Sequence, residues 1–116
     1  MVFDVADVRV WIVDALESNA DWRSRKADEY PDDERNLDAV ADSRRLRDEV
    51  AALPASAFEG LLRHVNSRED DGRFDEWCQH QNEVIGGIGF RHFPENAVAL
   101  LEELGGAPVL RAVTQD

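Results

Sequence analysis

Residues 53–65 read LPASAFEGLLRHV, and their chemistry places the end of one helix and the start of the next. Leu53, Pro54 and Ala55 form a turn, because proline lacks an amide hydrogen and pushes the residue before it out of the α region. Ser56-Ala57-Phe58-Glu59 has the capping-box pattern. The Ser56 hydroxyl accepts from the Glu59 amide while the Glu59 side chain reaches back. Phe58, Leu61, Leu62 and Val65 then line one face at helical spacing. The pattern predicts a helix over 57–67.

Upstream, Ala39, Ser43, Leu46, Val50 and Leu53 alternate steps of four and three residues and form a narrow seam. This predicts a helix over about 31–53, with Asp32 and Asp33 in its first turn. Leu37 and Val40 fall nearly opposite the seam, so the helix start needs further neighbours or is irregular. Arg44 with Asp48 and Arg45 with Glu49 are spaced as i,i+4 ion pairs. Residues 5–19 form another helix, with Val5, Val8, Ile12, Ala15 and Leu16 on one stripe. Asp4 serves as its N-cap, and Asp7 favours the positive helix end. The helix can continue through Trp22 to about Lys26. Pro31 marks a boundary.

Downstream, residues 66–72 read as a polar connection. A helix beginning near Arg73 puts Phe74, Trp77, Cys78, Gln81, Val84, Ile85 and Ile88 on one face. The glycines of IGGIGF, residues 85–90, end it and permit close backbone approach to another element. Phe90 and Phe93 are expected to add core material. Pro94 suits the first position of a fifth helix, with Ala97, Val98, Leu100, Leu101 and Leu104 inward and Gly105-Gly106 as a left-handed stop. Pro108, Val109, Leu110, Ala112 and Val113 form a last short element, helix or strand. The expected fold is all-α: a compact irregular bundle of about five helices, one domain over 1–116, with mostly antiparallel neighbours. Its core draws on Val5, Val8, Ile12, Leu16, Leu46, Val50, Leu53, Phe58, Leu61, Leu62, Val65, Phe74, Trp77, Ile85, Ile88, Leu100, Leu101 and Leu104.

The 116 residues carry 25 acids and 13 bases, a net charge of −12, spread along the whole chain. Such a surface repels nucleic acid and anionic lipid and suits a cationic partner. Lys26 is the one lysine and the other bases are arginines, a bias that a GC-rich genome or a high-salt habitat also produces. No apolar run approaches the roughly 20 residues of a membrane span. Asp4 and Asp7 stand where a secretory leader carries cations, so a cytoplasmic location is expected. The single cysteine, Cys78, excludes an internal disulfide.

Catalytic patterns are sparse. Gly87-Ile88-Gly89 follows a helical pattern and no Gly-Lys-Ser/Thr comes after it, so it lacks the context of a phosphate loop. Glu76, His80 and Glu83 share a helix face with Cys78 nearby, but no H-x-x-x-H pair supports a zinc site. Cys78 shares its face with Phe74 and Trp77, the setting of a small buried hydrophobe more than of a reactive thiolate. No serine sits in a nucleophile elbow. No metal or other cofactor is expected.

The most distinctive surface is residues 22–36, WRSRKADEYPDDERN, where tryptophan, tyrosine and arginine interleave with carboxylates. These three residue types are enriched at binding hot spots. The expected activity is therefore non-enzymatic: an acidic module that masks a basic protein partner, as immunity proteins, antitoxins and enzyme inhibitors do. The contact residues are Trp22, Arg25, Tyr30, Asp32, Asp33 and Glu34. In the bland alternative, Trp22 and Tyr30 merely cover the edge of the core. Two other functions compete: a small-molecule or metal site, possibly enzymatic, around Glu76, His80 and His92, and a structural homodimer.

Overall fold

The computed structural model describes residues 3–70 and 74–105, the side chains of residues 68–70 and 74 excepted. Gly106, the Phe74 side chain and the expected last element at 109–113 lie outside the described residues. Among those described there are five helices: α1 Val5–Glu29, α2 Arg35–Ala52, α3 Glu59–Asp70, α4 Phe74–Gly86 and α5 Ala97–Leu104. A 3₁₀ turn, Ala55–Phe58, leads into α3. The fold is an all-α bundle. Among the described residues no helix is long and apolar enough to cross a membrane.

α1 and α2 form an antiparallel pair. The stripe Val8, Ile12, Leu16 continues through Asn19 and Ala20 to Arg23, all buried, and faces Asn36, Ala39, Val40, Ser43, Leu46 and Val50. Small side chains at Ala20, Ala39 and Ser43 let the two backbones approach. The buried Asn19 amide donates to the Ser43 hydroxyl at 3.0 Å, which satisfies groups that would otherwise cost free energy in the core. Phe58, Leu61 and Val65 from the α3 side, Trp77, Val84, Ile85 and Ile88 from α4 and its exit, and Leu100, Leu101 and Leu104 of α5 complete the core. The expected Val5, Leu53 and Leu62 are only half-buried against it.

Helix ends depart most from expectation. α2 begins at Arg35, not Pro31, because a turn from the Tyr30 carbonyl to the Asp33 amide, 3.0 Å, occupies the residues between. The Ser56/Glu59 capping box does not form. Ala57 N–H bonds the Pro54 carbonyl at 3.0 Å, so Ser56 lies inside a tight turn. The capping box is at α1 instead, where Asp4 accepts from the Asp7 amide at 2.9 Å and Asp7 accepts from the Asp4 amide at 3.1 Å. α3 runs on to Asp70 through the residues expected as a connection. Asn66 within it clasps the backbone of Phe3, accepting at 2.9 Å and donating at 3.2 Å. Pro94 precedes α5, whose cap is Asn96, accepting from Ala99 N–H at 2.9 Å. Gly105 has φ −89°, so it is not a left-handed stop. Of the two expected pairs on α2, Arg45 meets Glu49 at 3.0 Å, whereas Asp48 turns to Arg47.

Side chains of one helix also hold the ends of another. Neither α2, α4 nor α5 has a basic residue in its last turn. The orphan carbonyls there are taken by neighbours. Arg9 Nη1 of α1 lies 3.1, 3.1 and 2.7 Å from the carbonyls of Val50, Ala51 and Leu53 at the end of α2. Arg23 Nη2 donates to Gly86 O of α4 at 2.8 Å. Trp77 Nε1 donates to Leu104 O of α5 at 2.9 Å. At the other end of α5, Glu49 accepts from Ala97 N–H at 2.9 Å, a carboxylate on the positive helix pole. Arg45 reaches the Glu95 carbonyl beside it at 3.0 Å.

Residues 87–92 coil around one acceptor. Gly87 O receives the amides of Phe90, Arg91 and His92 at 2.8, 2.7 and 3.0 Å. Gly89 sits in this coil at φ 84°, a left-handed conformation, with Ala39 of α2 directly against it. A Cβ on Gly89 would lie 3.1 Å from both the Cα and the Cβ of Ala39. Phe93, expected in the core, is 71% exposed. Gly89→Ala combines a strained φ with overpacking, and should lower unfolding stability by about 2 kcal/mol. Urea unfolding monitored by circular dichroism measures this as a lower midpoint at unchanged slope.

Candidate functional site

The block at residues 22–36 folds into the corner where α1 ends and α2 begins. Its geometry is set by Arg23. This residue continues the apolar stripe of α1, so its side chain is directed into the core and is 9% exposed. Nη1 donates to Asn36 Oδ1 at 3.2 Å and Nη2 to Gly86 O at 2.8 Å. The guanidinium carbon lies 4.5 Å from the Trp22 ring centroid and 3.9 Å from that of Phe90. Arg35 also stacks on Phe90, at 4.5 Å, and grips Asp33 with two bonds of 2.9 and 2.8 Å. Phe90 is thus a platform for two cations, not the plain core residue expected.

Burial of Arg23 lowers its proton affinity, and the neighbouring Arg91 and Arg35 charges add to this, while Asp33 partly offsets it. Among the described residues no carboxylate forms a salt bridge with Arg23. Its Nε is buried without a hydrogen-bond partner. The Asp33 carboxyl is held below the usual aspartate range by its hydrogen bond from Arg35.

With Arg23 turned inward, its neighbours face water. Trp22 is 41% and Tyr30 58% exposed. Lys26 lies between them, its Nζ 5.8 Å from each ring centroid and 3.1 Å from Glu29. Glu29, Tyr30, Pro31, Asp32 and Asp33 line an open depression. Of the expected contact residues, the structure gathers Tyr30, Asp32 and Asp33 around this depression, with Trp22 beside it across Lys26. Arg25 and Glu34 are exposed and do not line it. Arg23 and Arg35 build the corner, and sequence reasoning missed both in that role. The available signal was Arg23's place in phase with Val8, Ile12 and Leu16.

The histidines are committed elsewhere. His80 Nε2 lies 3.1 Å from the Glu103 carbonyl, which can only accept, so this nitrogen carries the proton. His92 Nδ1 pairs with the Glu103 carboxylate. Glu76, His80 and His92 do not gather as a metal-holding group, and no set of three or more potential ligands does so among the described residues. Cys78 is half-buried at a shallow cleft with Trp11, Asp14, Trp77, Gln81 and Asn82. Burial, then the charge of Asp75, pushes its thiol up, which disfavours the thiolate a nucleophile needs.

Comparison with models of protein families, with curated protein sequences and with solved structures finds no match to this chain.

Arg23→Ala removes two ring contacts and leaves Asn36 and Gly86 O without their donor. The expected loss is about 3 kcal/mol of unfolding stability, read from urea midpoints. The tie between Asp33 and Arg35 depends on pH. A depressed carboxyl contributes above its unfolded pKa and loses that contribution as pH falls below about 4. Carboxyl-carbon NMR should show Asp33 titrating below the usual aspartate range, and Arg35→Gln should move it upward.

Proposed function

We propose that this protein is a non-enzymatic binding module that masks a basic macromolecular partner, in the manner of an immunity protein, antitoxin or inhibitor. The observation that carries this reading is the corner itself. Two large aromatic side chains, Trp22 and Tyr30, stand exposed beside a depression edged by Glu29, Asp32 and Asp33. Aromatic rings next to carboxylates suit an incoming lysine or arginine, which can stack on the ring and pair with the acid. The dispersed charge of −12 supports the same reading, since a long-range negative field accelerates encounter with a basic surface. The rings then supply contact area at low conformational cost, and the carboxylates fix register.

Division of labour follows from this geometry. Tyr30, the first residue of the turn, is the anchor. Trp22 is braced by the Arg23 guanidinium, 4.5 Å from its ring centroid. Asp32 is the free carboxylate of the rim, whereas Asp33 is already engaged by Arg35.

Affinity capture from the native host, at low and at moderate salt, tests the proposal. The wild-type chain should retain a basic protein, and Tyr30→Ala should weaken that complex by roughly thirtyfold, the cost of a hot-spot residue. Asp32→Asn should slow association and flatten its salt dependence. Recovery of no protein at either salt, or equal capture by the Tyr30→Ala and Asp32→Asn variants, would overturn it.

A further inference from the structure

The shallow cleft at Cys78 is one end of a longer groove between α1 and α4. A second depression, lined by Ala15, Ser18, Asn19, Trp22 and Ile85, adjoins it, and Asn82 lines both. On α1 the lining runs Trp11, Asp14, Ala15, Ser18, Asn19 and Trp22, a helical stripe that extends about 16 Å. On α4 it runs from Trp77 to Gly86. The chain has three tryptophans, and all three line this groove. Each is held in place. Trp11 packs edge-on against Phe3, ring centroids 4.7 Å apart, and lies 6.4 Å from Trp77. Trp77 donates to Leu104 O at 2.9 Å, and Trp22 stacks with Arg23. Walls formed in advance lower the ordering cost of binding. The walls are also one-sided in charge. Residues 11–22 and 74–86 contain no lysine or arginine. Asp14 lines the groove, and Asp75, three residues before Cys78, shares its face of α4. Both are exposed. Asp21, Glu76 and Glu83 on the same two stretches add to the negative field.

We propose that this groove docks a basic amphipathic helix of another protein. The proposal rests on the masking reading and names the element by which the basic partner is held. A furrow between two helices fits the apolar stripe of a third. That stripe meets Trp11, Ala15 and Trp22, and lysines or arginines beside it meet Asp14 and Asp75. Charge selects this occupant over others. The same acids repel nucleic acid and anionic lipid, and a second copy of this chain would set like charges face to face. Trp22 ends the groove where the acidic corner begins, so one partner can span both.

A synthetic helical peptide of about 18 residues, with leucines on one stripe and lysines elsewhere, is the probe. Tryptophan fluorescence of the full chain should change as it binds, because the peptide has no tryptophan and all three reporters line the groove. A scrambled peptide of the same composition, and a striped one with glutamates for lysines, should each bind about tenfold more weakly or worse. Ser18→Arg, at an exposed position in the groove, should weaken the lysine peptide about tenfold. Val98→Arg places the same charge on α5, where Val98 is also exposed, and should change binding by less than about twofold. Asp14→Asn with Asp75→Asn should weaken binding and flatten its salt dependence. Circular dichroism checks that each variant folds. Equal binding of the scrambled peptide, or equal effects of Ser18→Arg and Val98→Arg, would overturn the proposal. So would dimerisation of the chain alone that Ser18→Arg abolishes, or peptide binding seen only after residues 107–116 are removed, because the occupant would then be a second copy or this chain's own segment. An unbound peptide beside a captured basic partner strikes the groove alone, whereas failure of the affinity capture strikes the masking reading.

Discussion

The helices of this bundle depend on one another for their own hydrogen bonds. A helix leaves its last carbonyls unpaired, and α2, α4 and α5 bring no base of their own to that end. Arg9, Arg23 and Trp77 supply the donors from other helices. Such bonds are directional, whereas apolar packing is not. The seam between α1 and α2 is narrow and built partly from alanine and serine, so hydrophobic contact alone would tolerate sliding. With Arg9 fixed to the end of α2 and Arg23 fixed to the end of α4, α1 has one register.

The same constraint creates the surface. Trp22 and Arg23 are adjacent on α1, and of the two only Arg23 continues the buried stripe. Here the arginine goes in, because Gly86 O, Asn36 and the Phe90 ring offer it three kinds of partner. Trp22 is left outside as half of a sandwich, and the turn after Glu29 sets Tyr30 outside as well. The corner is therefore sharply divided. Carboxylates and aromatic rings face one way, and guanidiniums gather on Phe90 a few residues off.

Apolar spacing was legible in the sequence because it is local. Val8, Ile12 and Leu16, or Leu100, Leu101 and Leu104, follow from helical period alone, and each lies where the period puts it. Helix limits were less legible, because several chemically valid caps compete. Ser56 and Glu59 form a good box by pattern, but the tight turn after Pro54 claims Ser56 first. Pro94 could open a helix, but Asn96 offers the better side-chain acceptor. The Arg23 site was hidden for a different reason. Its bonds reach partners 13 and 63 residues away, and no short window contains both. Phe90 and Phe93 look alike in composition, yet one carries two cations and the other faces water.

The long reach of these anchors bears on the order in which the chain can assemble. The bonds that secure the two ends of α1 span 41 to 63 residues, so α1 is not fully locked until the chain has reached Gly86. Until α4 and the coil after it arrive, Arg23 has Asn36 but neither Gly86 O nor the Phe90 ring, and closure must wait for a large loop to shut. A chain interrupted before Gly86 would leave Arg23 facing solvent on the side where the finished protein gives it the α4 carbonyl.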